Sequence, residues 1–153
     1  MPNNPRIRVS ALVRLDGQVV TVRHRNGDSV YHLLPGGGVE WGESLETALI
    51  REFREETGLA IAVGPLLFVN DTIDPAGTRH VVNLTFEATI AGGAITDNPA
   101  DSRVEAVDLI PEDQISSLDL RPPVAQAVLG VLNGEAAPGR YLGPLFKNDG
   151  GES

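Results

Sequence analysis

Alternating hydrophobic and polar positions in two stretches of the chain predict β-strands. In residues 7–15 the odd positions are apolar and most of the even positions are polar, and residues 78–90 alternate in the same way. Asp16-Gly17 follows the first stretch and is typical of a two-residue hairpin turn, which leads into a strand over residues 18–23. The chain is therefore expected to begin with a β-hairpin that opens a sheet.

Weaker patterns complete the expected sheet and add a helix near the end of the chain. Shorter strands are expected at residues 31–34, 61–69 and 106–110, with loops at 25–29, 70–77 and 91–103. Pro122-Pro123 is expected to open a helix that ends at Asn133-Gly134. The loop-like segment after that helix is expected to dock on the core or on a second subunit.

A helix from Leu45 to Thr57 is predicted by the signals at its two ends. Ser44 is a suitable N-cap, and Glu46 places negative charge in the first turn. Gly58 supplies the left-handed residue that often ends a helix. Because these signals bracket one continuous stretch, they also determine which of its side chains share a face.

Three glutamates, Glu52, Glu55 and Glu56, share a narrow arc of this helix. At about 100° per residue, Glu56 and Glu55 lie roughly 40° and 60° to either side of Glu52. Like charges this close repel one another unless a cation lies among them, and a hard dication such as Mg²⁺ prefers oxygen ligands of this kind. The alternative is an ordinary solvated face, in which Arg51 pairs with Glu55.

The segment before the helix is rich in glycine and favours the metal-binding interpretation. Pro35, Gly36, Gly37, Gly38 and Gly42 lie where the backbone must turn tightly or approach a ligand closely. The segment lacks the Gly-Lys-Ser/Thr ending of a P-loop, so it is a different kind of phosphate or metal site.

Composition limits the compartment and the partners. The 153 residues are 41% hydrophobic and predict one domain over residues 1–153, ordered from about 6 to 146 with a flexible tail at 147–153. The formal net charge of −9 argues against a nucleic-acid or anionic-membrane surface, and a metal ion would be needed to attract anionic phosphates. The chain has no cysteine, no apolar signal sequence and no transmembrane run, so a cytoplasmic protein is expected.

The glycine segment and the helix together resemble the Nudix box. Gly37 is followed after five residues by Glu43 and, after seven more, by the run REFREETGL from Arg51 to Leu59, with no departure at a defining position. By this resemblance the chain is identified as a member of the Nudix hydrolase family. The resemblance implies an α/β/α sandwich with a mixed sheet and a loop-helix-loop catalytic motif.

The resemblance also implies a reaction and its machinery. Nudix enzymes use Mg²⁺ or Mn²⁺ to hydrolyse a pyrophosphate bond in a nucleoside diphosphate linked to another group X. The implied metal ligands are Glu52, Glu55, Glu56 and the carbonyl of Gly36. Arg51 would orient the glutamates, and Glu43 would brace the loop or reach the metal through water. The base that activates water would be Glu55 or an acid outside the box, either Glu105 or, as the fallback, Asp101.

Candidate contacts to the substrate are Gly37, Gly38, His32 and Arg79, in a cleft whose wall is expected to come from the strands at 61–69 and 78–90. His32 stands where many relatives have a tryptophan, and an ordinary, partly buried histidine is the alternative interpretation. ADP-ribose, a nucleotide sugar and a modified nucleoside triphosphate remain candidate small-molecule substrates, and a homodimer is a candidate assembly because dimers are common among relatives.

Two other functions stay open at this point. One is a Nudix-fold protein that senses a nucleotide without hydrolysing it, although an intact glutamate set argues against a pure sensor. The other is an interaction protein with an acidic helical face, which would show no response to metal.

Overall fold

The computed structural model describes residues 3–147, so residues 148–153 of the predicted tail lie outside the described residues. The elements of the described chain are, in order, β1 Arg6–Leu15, β2 Gln18–Asn26, β3 Ser29–Leu33, β4 Gly36–Gly38, α1 Leu45–Thr57, β5 Leu59–Ile73, β6 His80–Gly93, β7 Val104–Pro111, a 3₁₀ helix Glu112–Ser117, α2 Ala125–Leu132 and β8 Arg140–Pro144.

The eight strands of residues 3–147 join one mixed sheet. Its main path runs β3-β2-β1-β6-β5-β8, with β4 added to β1 and β7 added to β2. Strand β1 runs parallel to β6, and β5 runs parallel to β8, whereas the other pairs are antiparallel. A large mixed sheet with few helices confirms the predicted α+β fold class.

Strand β1 divides the core, because its two faces pack against different helices. On one face Val9 and Val13 are fully buried beneath α1, in a cluster with Leu49 and Phe53. On the other face Leu12 belongs to a second cluster, which includes the buried side chains of α2. The sheet therefore lies between the two helices.

Helix α1 spans the predicted residues, Leu45–Thr57. The Ser44 side chain accepts a hydrogen bond from the Thr47 N–H at 3.1 Å, and Gly58 ends the helix with a φ of 82°. Any side chain at Gly58 would also collide with the Ala94 carbonyl, since an ideal Cβ would lie 2.4 Å from that oxygen. The predicted helix limits, N-cap and terminal glycine are thus confirmed.

Strand β5 is longer than its sequence pattern predicts. Half of the expected loop at residues 70–77 is strand, because Asn70 and Thr72 pair with β6 and bury their side chains. Gly64-Pro65 lies within this strand and is accommodated by shifts of register against β6. Polar residues that read as a loop are therefore part of the sheet interior.

Three further segments are more regular than expected. The loop expected at residues 25–29 is a tight hairpin between β2 and β3, with Gly27 at a φ of 62°. The glycine segment forms strand β4, and the segment after α2 forms β8, which extends the sheet beside β5. Pairing with an existing strand satisfies backbone groups that would otherwise need water, so these short segments become strands. Within residues 3–147, no helix has the length and apolar character needed to cross a membrane.

Candidate functional site

Strand β4 brings the glycine backbone into direct contact with the glutamates of α1. The Gly36 N–H donates a 2.9 Å hydrogen bond to Glu56 Oε1. An ideal Cβ on Gly36 would lie 1.9 Å from the Val9 carbonyl oxygen of β1, and one on Gly37 would lie 2.3 Å from the Glu52 carboxylate. Only glycine leaves room at both positions. The glycines therefore allow a close approach of backbone to carboxylate.

Burial changes the protonation behaviour of two of the three glutamates. Glu56 is 3% exposed, and burial raises its pKa to about 7 against the opposing effect of the Gly36 N–H. Burial also raises the pKa of Glu52, although a hydrogen bond from Arg51 opposes the shift. The side chain of Glu55 is 45% exposed. The helix therefore presents two desolvated carboxylates and one solvated carboxylate.

Arg51 holds the helix and the preceding loop together. Its Nε and Nη2 donate to the Glu43 carboxylate at 2.7 and 2.8 Å, and Nη2 also donates to the Gly38 carbonyl at 3.2 Å. Its Nη1 donates to Glu52 at 2.9 Å and lies 3.6 Å from Glu55. The hydrogen bonds from Arg51 are the main cause that lowers the pKa of Glu43 to about 2, so this carboxylate stays ionised.

The donors on this helix face fit a divalent cation in chemical kind, because they are carboxylate oxygens. Among residues 3–147, no three Asp, Glu, His or Cys side chains converge at a distance that would hold a metal ion. Glu56 is bound to β4, while Glu52 and Glu55 lie against Arg51. Each of these contacts uses one carboxylate oxygen, so the second oxygen of each glutamate would be available to a cation once the three side chains converge.

Asp101 is the acid from outside the helix whose charge acts on the glutamates. The loop before β7 packs on the end of α1, where the Ala100 N–H donates to the Glu55 carbonyl at 2.9 Å. The negative charge of Asp101 raises the pKa of both Glu52 and Glu56. The fallback residue of the sequence analysis is thus the one that the loop carries to this side of the helix.

Glu105, the other candidate acid from outside the box, is held in an ion pair. Its carboxylate accepts hydrogen bonds of 2.6 and 3.2 Å from Arg25, on the neighbouring strand β2. The pairing of β7 with β2 brings these two residues together, and the hydrogen bond from Arg25 lowers the pKa of Glu105. Glu105 lines the same cleft as Glu56, and it does so as an ion-paired acid.

A cleft of about 720 Å³ lies between the glutamates and the edge of the sheet. Glu56 and Glu105 are the acidic residues that line it within the described chain, together with Gly36, Gly37 and Gly38. Seven of the 12 basic residues of the whole sequence also line it: Arg6, Arg8, Arg25, Arg79, Arg103, Arg121 and Lys147. An acidic protein thus gathers most of its positive charge in one cavity, so the net charge is a poor guide to what this cavity attracts.

Three of the four candidate substrate contacts line this cleft. Gly37, Gly38 and Arg79 line it, whereas His32 does not. The His32 ring lies on the other face of β3, where its Nε2 is 2.8 Å from Asp108 and its side chain is 13% exposed. His32 is therefore corrected to the ordinary, partly buried histidine that was the alternative interpretation, and its neighbour Tyr31 faces the cleft instead.

The floor of the cleft contains polar side chains that the sequence analysis did not single out. Asn83 lines the cleft, is 4% exposed and donates to the Thr72 hydroxyl at 2.9 Å. Ser10 and Thr85 are paired beside it at 3.1 Å. The parallel pairing of Arg8 with Asn83 puts these residues on one face of the sheet. Polar residues occur at alternate positions of both β1 and β6, and this pattern could have predicted a polar surface here.

Known proteins that resemble this chain belong to one family. A family model described as the NUDIX domain matches residues 4–129. An ADP-ribose pyrophosphatase of Methanocaldococcus jannaschii is 32% identical over 107 residues, which cover 69% of this chain and 63% of that protein. A MutT-like protein of Streptomyces ambofaciens is 33% identical over 105 residues, which cover 69% of this chain and 62% of that protein. The chain spans less than two thirds of the length of these relatives.

Solved structures share the same architecture. The mutator MutT protein from Bacillus halodurans matches with a TM-score of 0.76, over 96% of this chain and 93% of that protein. The two sequences are 20% identical, so this likeness concerns the fold alone.

Proposed function

This chain belongs to the NUDIX family, and from that premise we propose that it hydrolyses a pyrophosphate bond in a nucleoside diphosphate linked to a second group. The observation that carries the proposal is the position of Glu52 and Glu56. Both carboxylates lie against the glycine backbone of β4, beside a cleft lined by seven basic residues. A cleft of this charge suits a substrate with several phosphate oxygens.

A divalent cation is part of the proposal, with Mg²⁺ as the expected ion and Mn²⁺ as a substitute. Glu52, Glu55 and Glu56 would hold it together with the carbonyl of Gly36. Such a cation would supply charge neutralisation and an acidified water for attack on phosphorus. The reason to choose these glutamates is that two of them are desolvated, and a desolvated carboxylate gains more from a cation than a solvated one does.

Other side chains of the motif would position the reacting groups. Arg51 would keep Glu52 close to the loop through its bonds to Glu43. Glu55 is the candidate to accept a proton from water, because its side chain is 45% exposed and can reach solvent. Asp101 is the second candidate for this role, since its charge already influences the glutamates.

The test is a product screen with Mg²⁺, with Mn²⁺ and with a chelator. The panel contains ADP-ribose, nucleotide sugars, and normal and oxidised nucleoside triphosphates, and the products are identified by chromatography. We expect turnover of at least one class that requires the metal. Glu46→Gln serves as the matched control, since Glu46 lies in the exposed first turn of the same helix. No turnover of any class with either metal would contradict the proposal.

The second candidate function is nucleotide sensing without hydrolysis. The basic lining of the cleft supports it as well, because the cleft could bind phosphate groups whether or not they are hydrolysed. A sensor would bind nucleotide in calorimetry and release no product. We also propose a small nucleotide-linked substrate, a cytoplasmic location and a homodimer, the last of which sedimentation would test directly.

A further inference from the structure

Two arginines in the cleft differ from four of its other cations in having no carboxylate partner within the described chain. Arg6 and Arg8 occupy alternate positions of β1 and both line the cleft. Within residues 3–147, neither has a carboxylate oxygen within the 4.0 Å of an ion pair. Arg8 Nη2 donates a hydrogen bond of 3.0 Å to the Leu34 carbonyl. The positive charge at this point of the cleft is therefore not neutralised by direct contact.

The neighbouring cations are neutralised by contact. Arg25 pairs with Glu105 at 2.6 Å, and Arg103 pairs with Asp101 at 2.8 Å. On the opposite wall, Asp119 contacts Arg121 at 2.8 Å and Lys147 at 3.0 Å. Because all four of these cations have a carboxylate partner, they are less available to an anion than the two β1 arginines are.

An uncompensated pair of guanidinium groups is costly in a partly buried position. Burial lowers the pKa of Arg8, the negative charges of Glu56 and Glu52 oppose this shift, and the positive charges of Arg103 and Arg6 lower the pKa further to a smaller extent. The Arg6 guanidinium packs closely on the Gly38 backbone, since an ideal Cβ there would lie 3.1 Å from Nη2. An anion in the cleft beside the two arginines would compensate their charges, and phosphate matches the planar donor geometry of guanidinium groups.

We propose that Arg6 and Arg8 form a phosphate subsite, separate from the glutamates, that receives a terminal phosphate group of the substrate. This inference rests on the proposed function, because it assumes that the glutamates and a cation act at the pyrophosphate bond that is cleaved. It favours nucleotides with a third phosphate over ADP-ribose and nucleotide sugars. In those two classes the diphosphate is flanked by uncharged groups, so no terminal phosphate would remain for the two arginines.

The experiment compares Arg6→Gln and Arg8→Gln with wild type on a nucleoside triphosphate and on ADP-ribose. We expect KM for the triphosphate to rise about 10- to 100-fold in each variant, with kcat changed less than about threefold. On ADP-ribose we expect kcat/KM to change less than about threefold. Arg140→Gln is the control, because Arg140 is exposed and lies outside the cleft lining. An equal loss on both substrates, or no loss on the triphosphate, would overturn the inference.

A binding measurement separates this inference from the proposed function. Inorganic triphosphate and pyrophosphate are titrated by calorimetry into wild type, Arg6→Gln and Arg140→Gln, with no turnover needed. At least about tenfold weaker binding of triphosphate to Arg6→Gln alone supports the subsite, even if wild type hydrolyses nothing. Equal binding by all three proteins overturns it. Arg6 is exposed, so this variant folds even where the partly buried Arg8→Gln does not.

Discussion

The glutamate face of α1 and the cationic cleft beside it are built in opposite ways. The glutamate face comes from five consecutive positions of one helix, and its main partner, Arg51, is on the same helix. The cleft takes its cations from six parts of the chain: β1, β2, the residue before β6, the loop before β7, the segment before α2 and the segment after β8. One region is local and negative, and the other is assembled over long range and positive.

This difference shows that the charge of a site depends on the residues that line it and not on the net charge of the chain. The net charge of −9 describes the surface of the whole chain, whereas a cleft feels the charges that line it. Parallel pairing of β1 with β6 is what brings Arg8 next to the polar floor at Asn83. A negative protein can therefore offer a positive cavity to a phosphate substrate, and the glutamates then provide negative charge at one end of that cavity.

The largest expected effect tests the glutamate face. Glu52→Gln and Glu56→Gln should each lower turnover by about 10³-fold or more, because each removes one negative oxygen ligand of the proposed cation. Steady-state kinetics with saturating Mg²⁺ measure the loss, and circular dichroism checks that α1 is intact. Glu46→Gln on the exposed first turn should stay within about twofold. Retained activity in either buried-site variant would mean that the two regions are not divided as proposed.

Substitutions at two glycines of β4 should affect stability and activity differently. Gly36→Ala places a methyl group 1.9 Å from the Val9 carbonyl, so it should break the pairing of β4 with β1 and lower the free energy of unfolding by about 2–4 kcal/mol. Gly37→Ala meets the Glu52 side chain at 2.3 Å, and a side chain can move. We expect that variant to keep its stability within about 1 kcal/mol and to lose about 10- to 100-fold in kcat.

Urea unfolding and steady-state kinetics on the same two proteins decide this point. Gly42→Ala is the matched control for a glycine of the same segment whose Cβ would meet nothing within 4 Å, although its φ of 85° makes it strained. If Gly37→Ala unfolds as easily as Gly36→Ala, then the Glu52 contact is a structural one.

The sequence predicts the local region well, for a physical reason. Helix periodicity fixes the angles between Glu52, Glu55 and Glu56, and end signals such as Ser44 and Gly58 fix the limits of the helix. Both follow from short-range geometry. No pairing with a distant strand is needed, so one stretch of sequence was enough to predict the face that carries the chemistry.

The cleft could not be predicted in the same way. The alternation over residues 7–15 puts Arg8 on the polar side of a strand and does not include Arg6, and only the pairing of β1 with both β4 and β6 brings the two arginines into the cleft. The surroundings of Glu105 and His32 could not be predicted for the same reason, since their partners Arg25 and Asp108 come from neighbouring strands. A residue's role in a cleft depends on register between strands, which no local pattern specifies.

A smaller effect should show that the glutamate face costs stability. The pKa of Glu56 is raised to about 7 in the folded chain from an ordinary 4.5, so the folded state holds its proton to higher pH than the unfolded state. The contribution of Glu56 to stability therefore falls as pH rises from 4.5 towards 7 and stays low above that. In metal-free buffer at pH ~8, Glu56→Gln should raise the free energy of unfolding by about 1–2 kcal/mol, since the amide keeps the bond from Gly36 without the charge.

Thermal unfolding between about pH 4 and pH 8 measures this gain. The difference between Glu56→Gln and wild type should shrink as pH falls, because wild-type Glu56 then becomes neutral in both states. Glu46→Gln should show no such trend. A variant that is less stable than wild type at high pH would show that the Glu56 charge stabilises the fold through Arg8 and the Gly36 N–H.

The smallest expected effect lies at the other end of the same helix. The Ser44 side chain accepts the Thr47 N–H at 3.1 Å, and its hydroxyl lies 2.9 Å from the Thr47 hydroxyl. Ser44→Ala removes this cap and should lower the free energy of unfolding by about 1 kcal/mol, as judged by urea unfolding. Turnover should stay within about twofold, because Glu52 lies about two helical turns beyond Ser44 and is held by Arg51 and β4. A large loss of activity would mean that the cap positions the carboxylates, and that the glutamate face depends on the whole helix rather than on its contacts with β4.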